Sequence, residues 1–129
     1  MGTVVVLVKL KDEELERIRE AAPGWNVVPR DAATEEAVRG ADILVGWNPS
    51  YREAVLDPAS KVRWIQAWSA GVDQLRLDAF FERGIEVTSA NGVHAFPISE
   101  TIFALMLAFT RKIHTYVRQQ LERKWHHGG

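Results

Sequence analysis

Through most of the chain the apolar residues come in short runs separated by turn residues; they then merge into one long stretch without a break. Val4-Val5-Val6-Leu7-Val8 has no polar alternation and is rich in β-branched residues, which predicts a strand over residues 4–10 covered on both faces. Asp12 then caps a helix with apolar positions Leu15, Ile18 and Ala22 at helical spacing, stopped by Pro23-Gly24. Residues 25–28 form a second strand and residues 34–38 a short helix. Asp42-Ile43-Leu44-Val45-Gly46 is a third strand, running into the turn-rich Trp47-Asn48-Pro49-Ser50, where Ser50 can cap a brief helix through Leu56. A fourth strand covers residues 62–68, a helix residues 73–81 with Gly84 closing it, and a fifth strand residues 85–88. Such β-α alternation argues for an α/β fold, a parallel sheet with helices on both faces and right-handed crossovers.

After Ala95 the period changes. Pro97 suits a first helical turn, and no further proline or glycine follows until after Trp125. The pattern predicts one helix of roughly 40 Å. Ile102, Phe103, Leu105, Met106, Leu107 and Phe109 make its first half apolar all round, whereas Ile113, Tyr116, Val117 and Leu121 form one stripe in the second half. A helix apolar all round needs cover on more than one side, so a second domain or subunit is implied. The chain thus divides into residues 1–95 and a long helix over residues 96–126.

Composition narrows the chemistry. The 129 residues are 47% apolar and 26% charged, with a net charge of −1 and no block of like charges, so neither nucleic acid nor an anionic membrane is an expected partner. Cysteine is absent, which excludes disulfides, thiolate catalysis and cysteine metal sites, and a cytoplasmic setting follows as the default. The opening apolar run is only five residues long, far below the ~20 that span a bilayer, and it has neither a basic leader nor a small-residue cleavage site. No metal constellation, nucleophile-base set, P-loop or Gly-x-Gly-x-x-Gly occurs, and His126-His127 have no spaced partners.

Ligands of open parallel sheets bind at the carboxyl ends of the strands. Here those ends are Lys9-Leu10-Lys11, Trp47-Asn48, Ser69-Ala70-Gly71 and Ala90-Asn91-Gly92-Val93-His94. Successive N–H groups at Ser69-Ala70-Gly71, ahead of a helix starting near Asp73, make a nest suited to a carboxylate. The plainer alternative is that Gly71 only permits a tight turn. Trp47 roofs a pocket or packs in the core. His94 carries an imidazole, a side chain suited to acid-base work, or is a surface residue. The helix dipole accounts for Glu100.

At this point Val62-Arg-Trp-Ile-Gln-Ala-Trp-Ser-Ala-Gly-Val-Asp73, Gly84-Ile-Glu-Val-Thr-Ser-Ala-Asn-Gly-Val-His-Ala95 and Pro97-Ile-Ser-Glu-Thr101 stand in an order and spacing that resemble the D-isomer-specific 2-hydroxyacid dehydrogenases. The resemblance implies the substrate-binding domain of such an enzyme: a flavodoxin-like five-stranded sheet of order 2-1-3-4-5, followed by an interdomain helix. It implies that the amides of Ala70 and Gly71 hold a substrate carboxylate, with Ser69 and Val72 beside them and Trp47, Asn91 and His94 around the cleft. Thr101 would approach the cofactor, NAD or NADP. The family's nucleotide-binding domain, with its arginine, glutamate and acid-base histidine, has no counterpart in these residues. They alone are therefore expected to hold no cofactor and no catalytic residue, to bind a small 2-hydroxy or 2-oxo acid, and to pair as a homodimer through the 96–126 helix, unless that helix folds back over its own sheet.

Two rival readings start from the same fold. A receiver domain needs acidic residues where Lys9-Leu10-Lys11 and Gly46-Trp47 stand, and a flavodoxin needs a hydroxyl-rich loop after the first strand. A flavodoxin-like interaction or scaffold module without chemistry is the alternative that remains.

Overall fold

Strict alternation of side chains across short strands sets up two cores in the computed structural model, which describes residues 1–126. Met1–Asn91 forms one compact unit, and the residues from Gly92 onward form another. In the first unit, strands β1 (Thr3–Val6), β2 (Asn26–Val28), β3 (Ile43–Val45), β4 (Trp64–Gln66) and β5 (Glu86–Thr88) make one sheet. Its order is β2-β1-β3-β4-β5, and every neighbouring pair is parallel.

One face of this sheet presents Val5, Leu44 and Ile65, which are fully buried. They pack with Val38 of α2 (Glu35–Gly40), Ala54 and Val55 of α3 (Arg52–Leu56), and Phe80 of α4 (Leu77–Glu82). The other face presents Val4 and Val6 to Leu15 and Ile18 of α1 (Asp12–Ala21). Beyond α1 the same face is open, with a cavity of about 870 Å³ bordered by Ile43, Val45, Trp64, Gln66 and Trp68. Two of the lining side chains are joined through Thr88: Trp64 Nε1 donates to Thr88 Oγ1 (2.7 Å), whose hydroxyl donates to Gln66 Oε1 (2.8 Å).

Helix starts differ in detail from the sequence reading. Thr34 caps α2 as its side chain predicts, accepting from Ala37 N–H at 3.1 Å. Asp12 is the first residue of α1 rather than its cap, and Glu14 accepts from the N–H of Lys11 (2.8 Å). Ser50 caps nothing; Asn48 accepts from its N–H (3.0 Å) and opens a 3-10 turn, Pro49–Tyr51, that leads into α3.

The second unit corrects the single long helix. It consists of α5 (Ala95–Thr110) and α6 (Ile113–Leu121), separated at Arg111-Lys112, where Lys112 adopts left-handed φ of 54°. At 1.5 Å per residue, α5 is about 24 Å long. The Thr110 hydroxyl donates back to the carbonyls of Met106 (3.0 Å) and Leu107 (3.3 Å), and the break comes without any glycine or proline. Past the break, the Phe109 ring stacks on the His114 imidazole at 6.0 Å. Ile102, Leu105, Met106, Leu107 and Phe109 of α5 are 51–75% exposed. Among the described residues, no helix is long and apolar enough to cross a membrane.

Candidate functional site

The strand order reverses between β1 and β3, and the chain leaves these two strands in opposite directions. A crevice therefore opens at their carboxyl ends. Here it is a cavity of about 420 Å³, bordered by Val8 after β1, Trp47 after β3, and Ala67, Trp68, Ser69 and Gly71 after β4. Asp73, Gln74 and Leu75 complete it.

Trp47 is held from behind. Its indole stands edge-on to the buried Phe80, with ring centroids 5.1 Å apart at 74°, and its Nε1 is buried without an acceptor among the described residues. Gly46 makes this placement possible. Its φ of +87° is left-handed, and a Cβ there would come within 2.5 Å of Val8 Cγ1, so only glycine lets β3 turn away so close to β1. Trp47 is thus both core and cleft wall, and the two readings of the sequence describe one side chain.

The loop after β4 is pinned through its oxygens. The Ser69 hydroxyl donates to the Gly71 carbonyl (2.6 Å), and the Ser69 carbonyl accepts from Ala90 N–H (3.0 Å). The N–H groups of Ala70 and Gly71 donate to no acceptor among the described residues. Both residues are exposed, so these donors are available to an anion.

Gly71 has no positive φ. One support read from the sequence is missing: the helix expected at Asp73 begins only at Leu77. Residues 72–76 instead form a turn, closed by Leu75 N–H on the Val72 carbonyl (2.9 Å), which buries Leu75 and points Val72 at the core. Asp73 sits over the glycine, its Oδ2 3.2 Å from where a Gly71 Cβ would lie.

The structure brings together Trp47, Ser69 and Gly71, with Ala70 between the last two. Asn91 ends the first unit. His94 and Thr101 belong to the second: His94 precedes α5, and the Thr101 hydroxyl donates to the Pro97 carbonyl (2.9 Å). No group of histidines and carboxylates able to hold a metal is present among the described residues, and His127 lies outside them. The sequence reading passed over Val8, Trp68, Gln74 and Leu75, which are ordinary apolar or polar residues until the sheet order sets them at one edge.

A doubly wound α/β domain with its cleft at the switch point is the class this geometry defines. The family described as D-isomer specific 2-hydroxyacid dehydrogenase, catalytic domain, matches residues 4–122, and the chain belongs to it. D-3-phosphoglycerate dehydrogenase of Archaeoglobus fulgidus is 28% identical over 95% of this chain and 24% of its own length. Glyoxylate reductase of Korarchaeum cryptofilum is 29% identical over 87% of this chain and 32% of its own. Among solved structures, the PH0520 protein of Pyrococcus horikoshii superposes with a TM-score of 0.70 at 25% identity, covering 99% of this chain and 39% of that one. Phosphoglycerate dehydrogenase from Lactobacillus plantarum superposes with a TM-score of 0.66 at 28% identity, covering 97% and 41%. The chain thus spans well under half the length of each of these relatives.

Proposed function

We propose that this chain supplies the substrate-binding part of a D-2-hydroxyacid dehydrogenase, in which NAD or NADP exchanges hydride with a 2-hydroxy or 2-oxo acid. The observation that carries the reading is the pair of undonated amides, Ala70 and Gly71, in a loop of the strand-end cleft. A carboxylate accepting from both makes charge-assisted hydrogen bonds that fix its orientation. Trp47 forms a rigid wall beside it, and Ser69 holds the loop in shape.

The dinucleotide itself does not fit these residues. A diphosphate rests on a glycine-rich turn at a helix start. The first β-α connection here is Leu7-Val8-Lys9-Leu10-Lys11, with no glycine. The reading therefore assigns cofactor, arginine, glutamate and acid-base histidine to a nucleotide-binding domain, and assigns to these residues binding without hydride transfer. Thr101 is its cofactor-side residue. With its proton committed to Pro97, its hydroxyl can only accept there.

The exposed apolar side chains of α5 make a second copy of the chain the proposed partner, joined through residues 96–126.

Titration with pyruvate, followed by backbone amide resonances, tests the reading. Shifts centred on Ala70 and Gly71 at millimolar acid are expected. Their absence overturns it.

A further inference from the structure

Which acid the cleft takes follows from what surrounds the two amides. On the proposed function, Ala70 and Gly71 receive the carboxylate, and the rest of the ligand meets the remaining cavity wall. A phosphoryl group brings nearly two negative charges and three strong acceptors, so a site that selects it supplies arginine, lysine or a helix start. None of these borders the cavity. The cations nearest in sequence lie outside its wall. Lys9 borders a separate depression together with Arg19, Arg30 and the carboxylates of Asp12, Glu16 and Asp31. Arg76 pairs with Asp78 at 3.5 Å. Asp78 keeps its carboxyl below the usual range through the Ala79 N–H first and this guanidinium second. The helix that follows, α4, has only six residues and begins at Leu77, past the cavity wall.

The charge that does border the cavity is negative. Asp73 Oδ2 lies beside Gly71, so beyond the two amides the cavity offers an anion no attraction, and each further negative charge on the ligand adds repulsion. Opposite charges are lacking, but flat apolar surface is not. Trp47 and Trp68 both face the cavity, with Val8 and Leu75 between the strand ends. Trp47 is fixed by Phe80, whereas Trp68 is 56% exposed and has surface left for a ligand to cover. A cavity of about 420 Å³ accommodates a ring-sized group.

We propose that the cleft selects a 2-oxo or 2-hydroxy acid with an apolar, ring-sized side chain and no phosphate, and that Trp47 and Trp68 determine this specificity. The carboxylate sits on the amides, and the side chain lies against the two indoles. Aromatic walls contribute most where they are held in place before the ligand arrives. Asp73 penalises anionic substituents.

The test compares phenylpyruvate, pyruvate and 3-phosphooxypyruvate on the intact chain at pH 7. The readouts are the amide resonances of Ala70 and Gly71 and the indole N–H resonances of Trp47 and Trp68. Phenylpyruvate is expected to bind at least tenfold more tightly than pyruvate, with the phosphorylated acid weakest. Trp68→Ala removes an exposed side chain and leaves the fold intact. It should abolish most of the preference for phenylpyruvate, lowering phenylpyruvate affinity several-fold more than pyruvate affinity. Trp47→Phe, which keeps a ring in the wall, should retain part of the preference. If the amides respond to pyruvate but phenylpyruvate gains nothing, or if the phosphorylated acid binds best, the selectivity is overturned and the carboxylate reading stands. If no acid moves the amides, the carboxylate reading falls and the selectivity falls with it.

Discussion

Trp47 and Phe80 meet edge to face, 5.1 Å between ring centres, and join the floor of the cleft to the centre of the core. Phe80 is fully buried on α4, while Trp47 borders the cavity at the end of β3. Phe80→Ala should cost about 3–5 kcal/mol by the usual cost of emptying an aromatic site. It should also loosen Trp47. Denaturant unfolding measures the first effect, and a broadened Trp47 indole resonance at native conditions reports the second.

Trp47→Phe tests the unpartnered indole nitrogen. The exchange removes a buried donor that no described acceptor satisfies, and it keeps an aromatic ring against Phe80. A buried unpaired donor costs about 1–3 kcal/mol, which offsets the lost contact area. The variant is expected to unfold within about 1 kcal/mol of the parent. A loss near that of Phe80→Ala would mean that the nitrogen is satisfied in solution.

Gly46→Ala should be costly for two reasons at one atom. Left-handed φ disfavours any side chain, and the new Cβ would press on Val8 Cγ1. A loss of about 1–3 kcal/mol is expected. Because Val8 and Trp47 both border the cavity, the same variant should weaken pyruvate binding at Ala70 and Gly71. Unchanged binding with lowered stability would separate the glycine from the cleft.

Dimerisation through α5 predicts a concentration-dependent mass. Sedimentation at micromolar chain should give a dimer, and Leu105→Glu together with Met106→Glu should give a folded monomer with the same amide response to pyruvate. A monomeric parent would dismiss the second copy as partner.

Much of this architecture was legible because each strand is short, apolar and bounded by turn residues, so β-α alternation and the parallel sheet followed directly. The cleft edge was legible too: Trp47, Ser69 and Gly71 stand at strand ends whatever the loops do. Loop detail was not. Asp73 reads as a helix start, but burying Leu75 and Val72 requires a turn first, and that delays α4 to Leu77. The break after Thr110 escaped because no proline or glycine marks it; the left-handed residue there is a lysine. Asp73 over Gly71 was equally hidden, since two residues of separation say nothing about where a carboxylate turns.

The left-handed Lys112 has a consequence for protease sensitivity. Arg111 and Lys112 are both exposed, at a junction where one residue sits in a conformation that glycine normally fills. An exposed dibasic turn of this kind is a preferred site of tryptic nicking. Early cuts should therefore fall between α5 and α6 and at Arg123-Lys124, which shares the exposure and the left-handed φ (53°), and leave the sheet whole. If a second copy covers this segment, the cutting rate will fall as chain concentration rises, so a gel reports the association without any label.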